Sequence, residues 1–177
     1  MASILAFAGS NSSKSINYQL VKYTVSLIEG NEIQLLNMVN FPFPMFSEDY
    51  EKENGYSNSL IELKNDIVKA DGIIISVNEH NSGPSAYFKN LTDWLSRVER
   101  KFLDEKPVFL MSTSGGQRGG MTALEITKNV IPRFGAQVAA TFSLPSFQEN
   151  FSEGEGIVNK ELVKAHRAAL DQFLSKL

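Results

Sequence analysis

The chain has 177 residues, 42% hydrophobic and 21% charged, and its 17 Lys and Arg against 20 Asp and Glu give a formal net charge of −3, as expected of one compact domain over residues 1–177. The absence of cysteine excludes a disulfide framework, a thiolate nucleophile, an iron–sulfur cluster and a Cys-based zinc site, and His80 and His166 alone cannot make a His-rich metal site. A mildly acidic chain with no Lys/Arg cluster also lacks the basic face that nucleic acid requires.

Ile4 to Ala8 is a short apolar run of the kind a strand buried on both faces shows, ending at Gly9 before a polar stretch. Ile16, Leu20, Tyr23 and Leu27, widened by Val21, Val25 and Ile28, predict a first helix that Gly30 stops. Residues 32–36 predict a second strand. Residues 41–58 form a long loop with Phe41, Phe43, Phe46, Tyr50 and Tyr56, and loops of that length are functional or disordered. Leu60, Leu63, Ile67 and Val68 predict a second helix, and residues 72–77 a third strand. Pro84 suits the first turn of a third helix running to about Lys101. A fourth strand covers residues 107–112, a glycine-rich loop follows, and a helix over 121–134 is cut short by Pro132. Residues 137–144 predict the fifth strand, 146–156 a polar loop, and 157–177 the closing helix. The apolar runs fall far short of the roughly 20 residues of a membrane helix and no basic leader precedes them, so a cytoplasmic protein is expected.

Strand and helix thus alternate five times, which predicts an α/β fold: an open parallel sheet with helices on both faces. Ligands of such sheets bind beyond the carboxyl ends of the strands, which points to the loops after the first, third and fourth strands. The first, residues 9–17, offers successive main-chain N–H groups, a helix start and several hydroxyls, a combination that suits a phosphate monoester; an N-cap and turn rich in Ser explains it equally. It is neither a Walker A loop nor a dinucleotide fingerprint, because Lys14 and Ser13 break the first spacing and GxGxxG is absent. The second loop, from Asn78, presents main-chain donors and amides such as Asn81 to the polar edge of a flat heteroaromatic ring, with His80 either against that ring or idle in solvent. Asn81 also suits an Asx turn. Glu79 is expected to meet water or to offer only its main-chain N–H. In the third loop, residues 112–120, four glycines allow close approach of a ligand or simply add flexibility, and Arg118 either meets a phosphate such as that of NADPH or is merely solvated.

Gly9 and Ser10 with Ser15 and Asn17, then Asn78–Asn81, Lys89–Asn90 and Asp93–Trp94 at matching spacing, resemble the phosphate loop and the PEYN…KN…DW segment of the NADPH-dependent FMN reductase family. Residues 114–116 and 144–151 are similar to its later loops. The resemblance implies a flavodoxin-like three-layer fold with strand order 2-1-3-4-5, FMN as cofactor, NADPH or NADH as hydride donor, and a homodimer or homotetramer. It carries Ser10, Ser12, Ser15, Ile16 and Asn17 to the phosphate, Asn78, Glu79, His80 and Asn81 to the edge of the isoalloxazine, and Ser114, Gly115 and Gly116 to the far side of the ring. Lys89, Asn90, Asp93 and Trp94 are support or core. Ser12 stands where the family has Arg, Asn78 where it has Pro, and His80 where it has Tyr.

The implied activity is transfer of a hydride from NAD(P)H through FMN to a small-molecule electron acceptor: a flavin, quinone, azo or nitro compound, or metal oxyanion. The flavin does the hard chemistry, so no catalytic side chain is needed. A flavodoxin-type electron carrier without NAD(P)H oxidation is the alternative. The five aromatics of residues 41–56 are expected to be exposed and to pack at a dimer interface near the flavin.

Overall fold

Every residue from 1 to 177 is described by the computed structural model. Strand β1 (Ser3–Ala8) lies between β2 (Glu32–Leu36) and β3 (Gly72–Val77), followed by β6 (Pro107–Thr113) and β7 (Gln137–Leu144) in one five-stranded parallel sheet. Counting sheet strands alone, the order is the expected 2-1-3-4-5. Alternation of side chains along each strand divides the core in two. Leu5, Phe7, Ile73, Ile75 and Leu110 meet helices α3 (Asn58–Lys69), α4 (Ala86–Val98) and α5 (Met121–Val130). Ile4, Ala6, Ile74, Phe109 and Met111 meet α1 (Ile16–Ser26) and α7 (Lys160–Leu174). No helix is long and apolar enough to cross a membrane.

Several boundaries differ from the sequence reading, each for a local reason. Helix α1 stops at Ser26, before the apolar pattern does, and Leu27 caps it. Pro84 is not in the first turn of α4. It pairs in a hairpin of β4 (Glu79–His80) and β5 (Gly83–Pro84), because Ser85 is the N-cap, its Oγ accepting from Phe88 N–H. That hairpin turns through Asn81 and Ser82, both left-handed at φ 51° and 60°, as a two-residue turn requires to match strand twist. Pro132 ends α5 as expected, in a 3₁₀ turn over Ile131–Phe134. The polar loop after β7 holds a short helix α6 (Phe147–Asn150) and a hairpin of β8 (Phe151–Ser152) and β9 (Gly156–Ile157). Ile157 is buried in that hairpin, so α7 begins only at Lys160, with Asn159 as N-cap.

The long aromatic loop is ordered by contacts within the chain: Phe41, Phe43 and Phe46 are half-buried, and Tyr50 and Tyr56 stay exposed, as expected of them. Ser47 caps helix α2 (Glu48–Asn54), a helix with no buried residue. Phe46, Tyr50 and Tyr56 present their rings edge-on to Trp94 at 5.0, 6.0 and 6.4 Å, an arrangement favoured by the ring quadrupoles. Trp94 Nε1 and Asn90 Nδ2 both donate to the Pro44 carbonyl, and Phe46 N–H donates to Asn90 Oδ1. Asn90 and Trp94 therefore hold the loop. Lys89 pairs with Asp93 on the exposed side of the same helix.

Candidate functional site

The strands end together. Ala8 lies opposite Ser76, Val77 opposite Ser112 and Thr113 opposite Leu144, so the loops that open at Gly9, Asn78, Ser114 and Pro145 share one edge of the sheet. Gly9 fixes the first of them: its N–H donates to the Ser76 carbonyl at 2.9 Å, its own carbonyl accepts from Ser85 Oγ at 3.0 Å, and a Cβ there would lie 2.6 Å from the Phe88 ring. Only glycine allows that approach.

Beyond Gly9 the chain folds on its own hydroxyls. Ser12 N–H donates to Ser10 Oγ, Lys14 N–H to Ser12 Oγ, and Tyr18 N–H to Ser15 Oγ, which makes Ser15 the N-cap of α1. The N-cap reading of this loop is thus correct, and it leaves the other reading standing. The main-chain N–H groups of Ser10, Asn11, Ser13, Ile16 and Asn17 donate to no acceptor in the protein. Such a run of free donors at the positive end of an eleven-residue helix attracts an anion. Ser10 and Ser15 are buried and Ser12 is exposed. Asn17 is different: its side chain is 3% exposed and hydrogen-bonded to Ser76 and Thr113, so only its N–H remains for a ligand.

In the second loop, Asn78 is 8% exposed and its Oδ1 is buried without a partner, a costly state that a ligand donor would relieve. Glu79 departs from expectation. Its carboxylate accepts from Ala123 N–H at 2.9 Å, because the N-cap of α5 is Gly120, which has no side chain to cap the first turn. His80 and Asn81 sit exposed on the hairpin that Glu79 anchors.

The third loop splits its four glycines. Gly115 and Gly116 are exposed, next to half-buried Ser114, whose Oγ accepts from Gly116 N–H. The Ser114 and Gly116 carbonyls accept from Phe147 and Ser146 N–H, so the loop after β7 is tied to it. Gly119 is buried at φ +58°, its carbonyl taking hydrogen bonds from Ser112 and Ser143, and a Cβ there would fall 2.5 Å from Ser143 Oγ. Close packing, not flexibility, explains that glycine. Sequence reasoning passed over Ser76, Ser85 and Thr113; for Ser76 and Thr113 a small hydroxyl at or next to the end of an apolar strand was the one available signal. A separate cleft of about 400 Å³ lies between α1 and the β8–β9 hairpin, bordered by Tyr23, Phe151 and Glu153, and none of the predicted site residues lines it.

The chain is similar to several known proteins. The quinone reductase of Escherichia coli K12 is 35% identical over 77 residues, 44% of this chain and 41% of that protein, so the chain spans less than half the length of this relative. The NADH-dependent flavin reductase subunit 2 of Lactobacillus johnsonii is 23% identical over 97% of this chain and 95% of its own. Among solved structures, FerB of Paracoccus denitrificans, a flavoenzyme NAD(P)H:(acceptor) oxidoreductase, superposes with a TM-score of 0.80 at 23% identity over 99% of this chain and 96% of that one, and shares the fold. The sequence profile described as NADPH-dependent FMN reductase matches residues 2–149, from the start of β1 to the loop after β7. The chain belongs to the NADPH-dependent FMN reductase family.

Proposed function

We propose that the protein is an FMN-dependent oxidoreductase that takes a hydride from NADPH or NADH and passes it to a small acceptor such as a quinone, flavin, azo or nitro compound. The observation that carries this is the cradle of five free N–H groups between Ser10 and Asn17, on the loop that the sequence resemblance assigns to phosphate. FMN fits the residues present. The cradle and the hydroxyls of Ser10, Ser12 and Ser15 take the doubly charged phosphate without the family's Arg, and the unpartnered Asn78 Oδ1 awaits a donor beside the ring subsite. Bound FMN supplies the redox chemistry, accepting and releasing the hydride. The chain's own part is binding and orientation: Asn78–Asn81 would hold one edge of the ring and Ser114, Gly115 and Gly116 the other side, and the hairpin amides would favour negative charge there. Alignment of donor and acceptor is what such a site contributes to rate.

The test is a spectrum of the protein with added FMN, before and after NADPH without air. Uptake of FMN followed by bleaching supports the enzyme; uptake without bleaching favours the electron carrier; no uptake overturns both. A homodimer or homotetramer belongs to the same reading, supported by apolar side chains left exposed at Met45, Ile126 and Val130. A monomeric mass by light scattering would refute the assembly.

A further inference from the structure

The family resemblance carries Asn17 to the phosphate, and the structure gives its side chain other partners. Asn17 Oδ1 accepts from Ser76 Oγ at 2.7 Å and from Thr113 N–H at 3.0 Å, while Nδ2 donates to the Thr113 carbonyl at 3.0 Å. Ser76 is 0% and Thr113 1% exposed. Val77 opposite Ser112 is the last pair of the β3–β6 ladder. Thr113 lies one residue beyond that pair, and the carboxamide of Asn17 hydrogen-bonds both its N–H and its carbonyl. A planar amide clamped at two points transmits position as a peptide unit does.

We propose that Asn17 is a positioning residue: its buried carboxamide sets the distance between the N–H cradle after β1 and the loops that open at Asn78 and Ser114, so that the two ends of one ligand, phosphate ester and flat ring, are held in register. This rests on the cofactor reading and deepens it by assigning the Asn17 side chain no ligand contact. A bipartite ligand gains most from a fixed spacing of its two subsites, because the second contact then forms at high effective concentration. Loosening that spacing weakens FMN and spares each half alone.

The experiment compares FMN, riboflavin and inorganic phosphate on the full chain stripped of flavin, for wild type, Asn17→Ala and Ser76→Ala. Ser76 lies inside the sheet and touches no ligand, and its loss removes one donor without opening a large void, so this variant keeps the test usable if Asn17→Ala folds poorly. We expect FMN affinity to fall about tenfold in Asn17→Ala and a few-fold, roughly, in Ser76→Ala, with riboflavin and inorganic phosphate within about twofold of wild type in both. The double variant should lose little beyond Asn17→Ala, as two members of one network do. An Asn17→Ala variant that loses inorganic phosphate as strongly as FMN would mean direct contact and overturn the proposal, as would a Ser76→Ala variant with unchanged FMN affinity. Wild type that takes up riboflavin and phosphate but not FMN also overturns it, whereas wild type that binds none of the three defeats the cofactor reading itself.

Discussion

His166 is fully buried among the rings of Tyr23, Phe109 and Phe142, with Nε2 2.9 Å from Thr24 Oγ1 and Nδ1 without a partner. Thr24 Oγ1 is also placed to donate to the Leu20 carbonyl, which leaves Nε2 as the donor to Thr24. Burial, helped by the Arg167 charge, pulls its pKa down from 6.5 to about 4. Between those values the unfolded chain binds the proton more readily than the folded one. The stability from neutral His166 is therefore complete above about pH 6.5 and is lost as pH falls through about 4, roughly 3 kcal/mol in all. Urea midpoints at neutral pH and in mild acid should show a drop that a His166→Leu variant lacks; an equal drop in both would count against it. Arg118, exposed and without an acid at ion-pair distance, shares the loops after β1, β3 and β6 with only one other Lys or Arg, Lys14. Replacing it by Ala is expected to raise KM for NADPH about tenfold and to leave KM for NADH nearly unchanged, since only the former carries the extra phosphate.

At the scale of elements, two contacts reach farther than sequence spacing can show. Glu79 caps α5 from 44 residues away. A Glu79→Ala variant should lose about 1 kcal/mol in denaturant unfolding, the usual worth of a cap, and a smaller loss in Glu79→Gln would separate hydrogen bond from charge. The strap over residues 41–57 depends on Trp94 and on the exposed clasp in which Arg97 pairs with Glu51 and Tyr56 donates to the same carboxylate. Trp94→Leu should speed hydrogen exchange across α2 while leaving β1, β3 and β6 protected. Equal speeding everywhere would show that the strap and the sheet open together.

For the molecule as a whole, what was legible follows from where the physical signal lies. Strands at 32–36, 72–77 and 137–144 were read to the residue because each is a run rich in apolar residues between turn-forming neighbours. Helices α2 and α6 were missed, since neither is long enough to carry an apolar stripe and α2 is held by caps and acids in its first turn. The loops that open along one sheet edge were found from strand order and glycine content. The tasks of Asn17 and Glu79 were not, because Ser76 and Thr113 lie 59 and 96 residues beyond Asn17 and only folding brings them together. A site assembled this way from distant segments should stiffen when filled. FMN at about a hundred times its Kd is expected to add roughly 2.7 kcal/mol to the folded state and to raise Tm, and a Tm indifferent to FMN would contradict that.

Trp94 is the only tryptophan, 2% exposed and packed beneath the strap through three aromatic edges. The chain therefore carries a built-in optical reporter. Detachment of the strap would admit water to the indole and shift its emission to the red while the backbone signal of the sheet stays constant, so a dye-free fluorescence trace can time that opening.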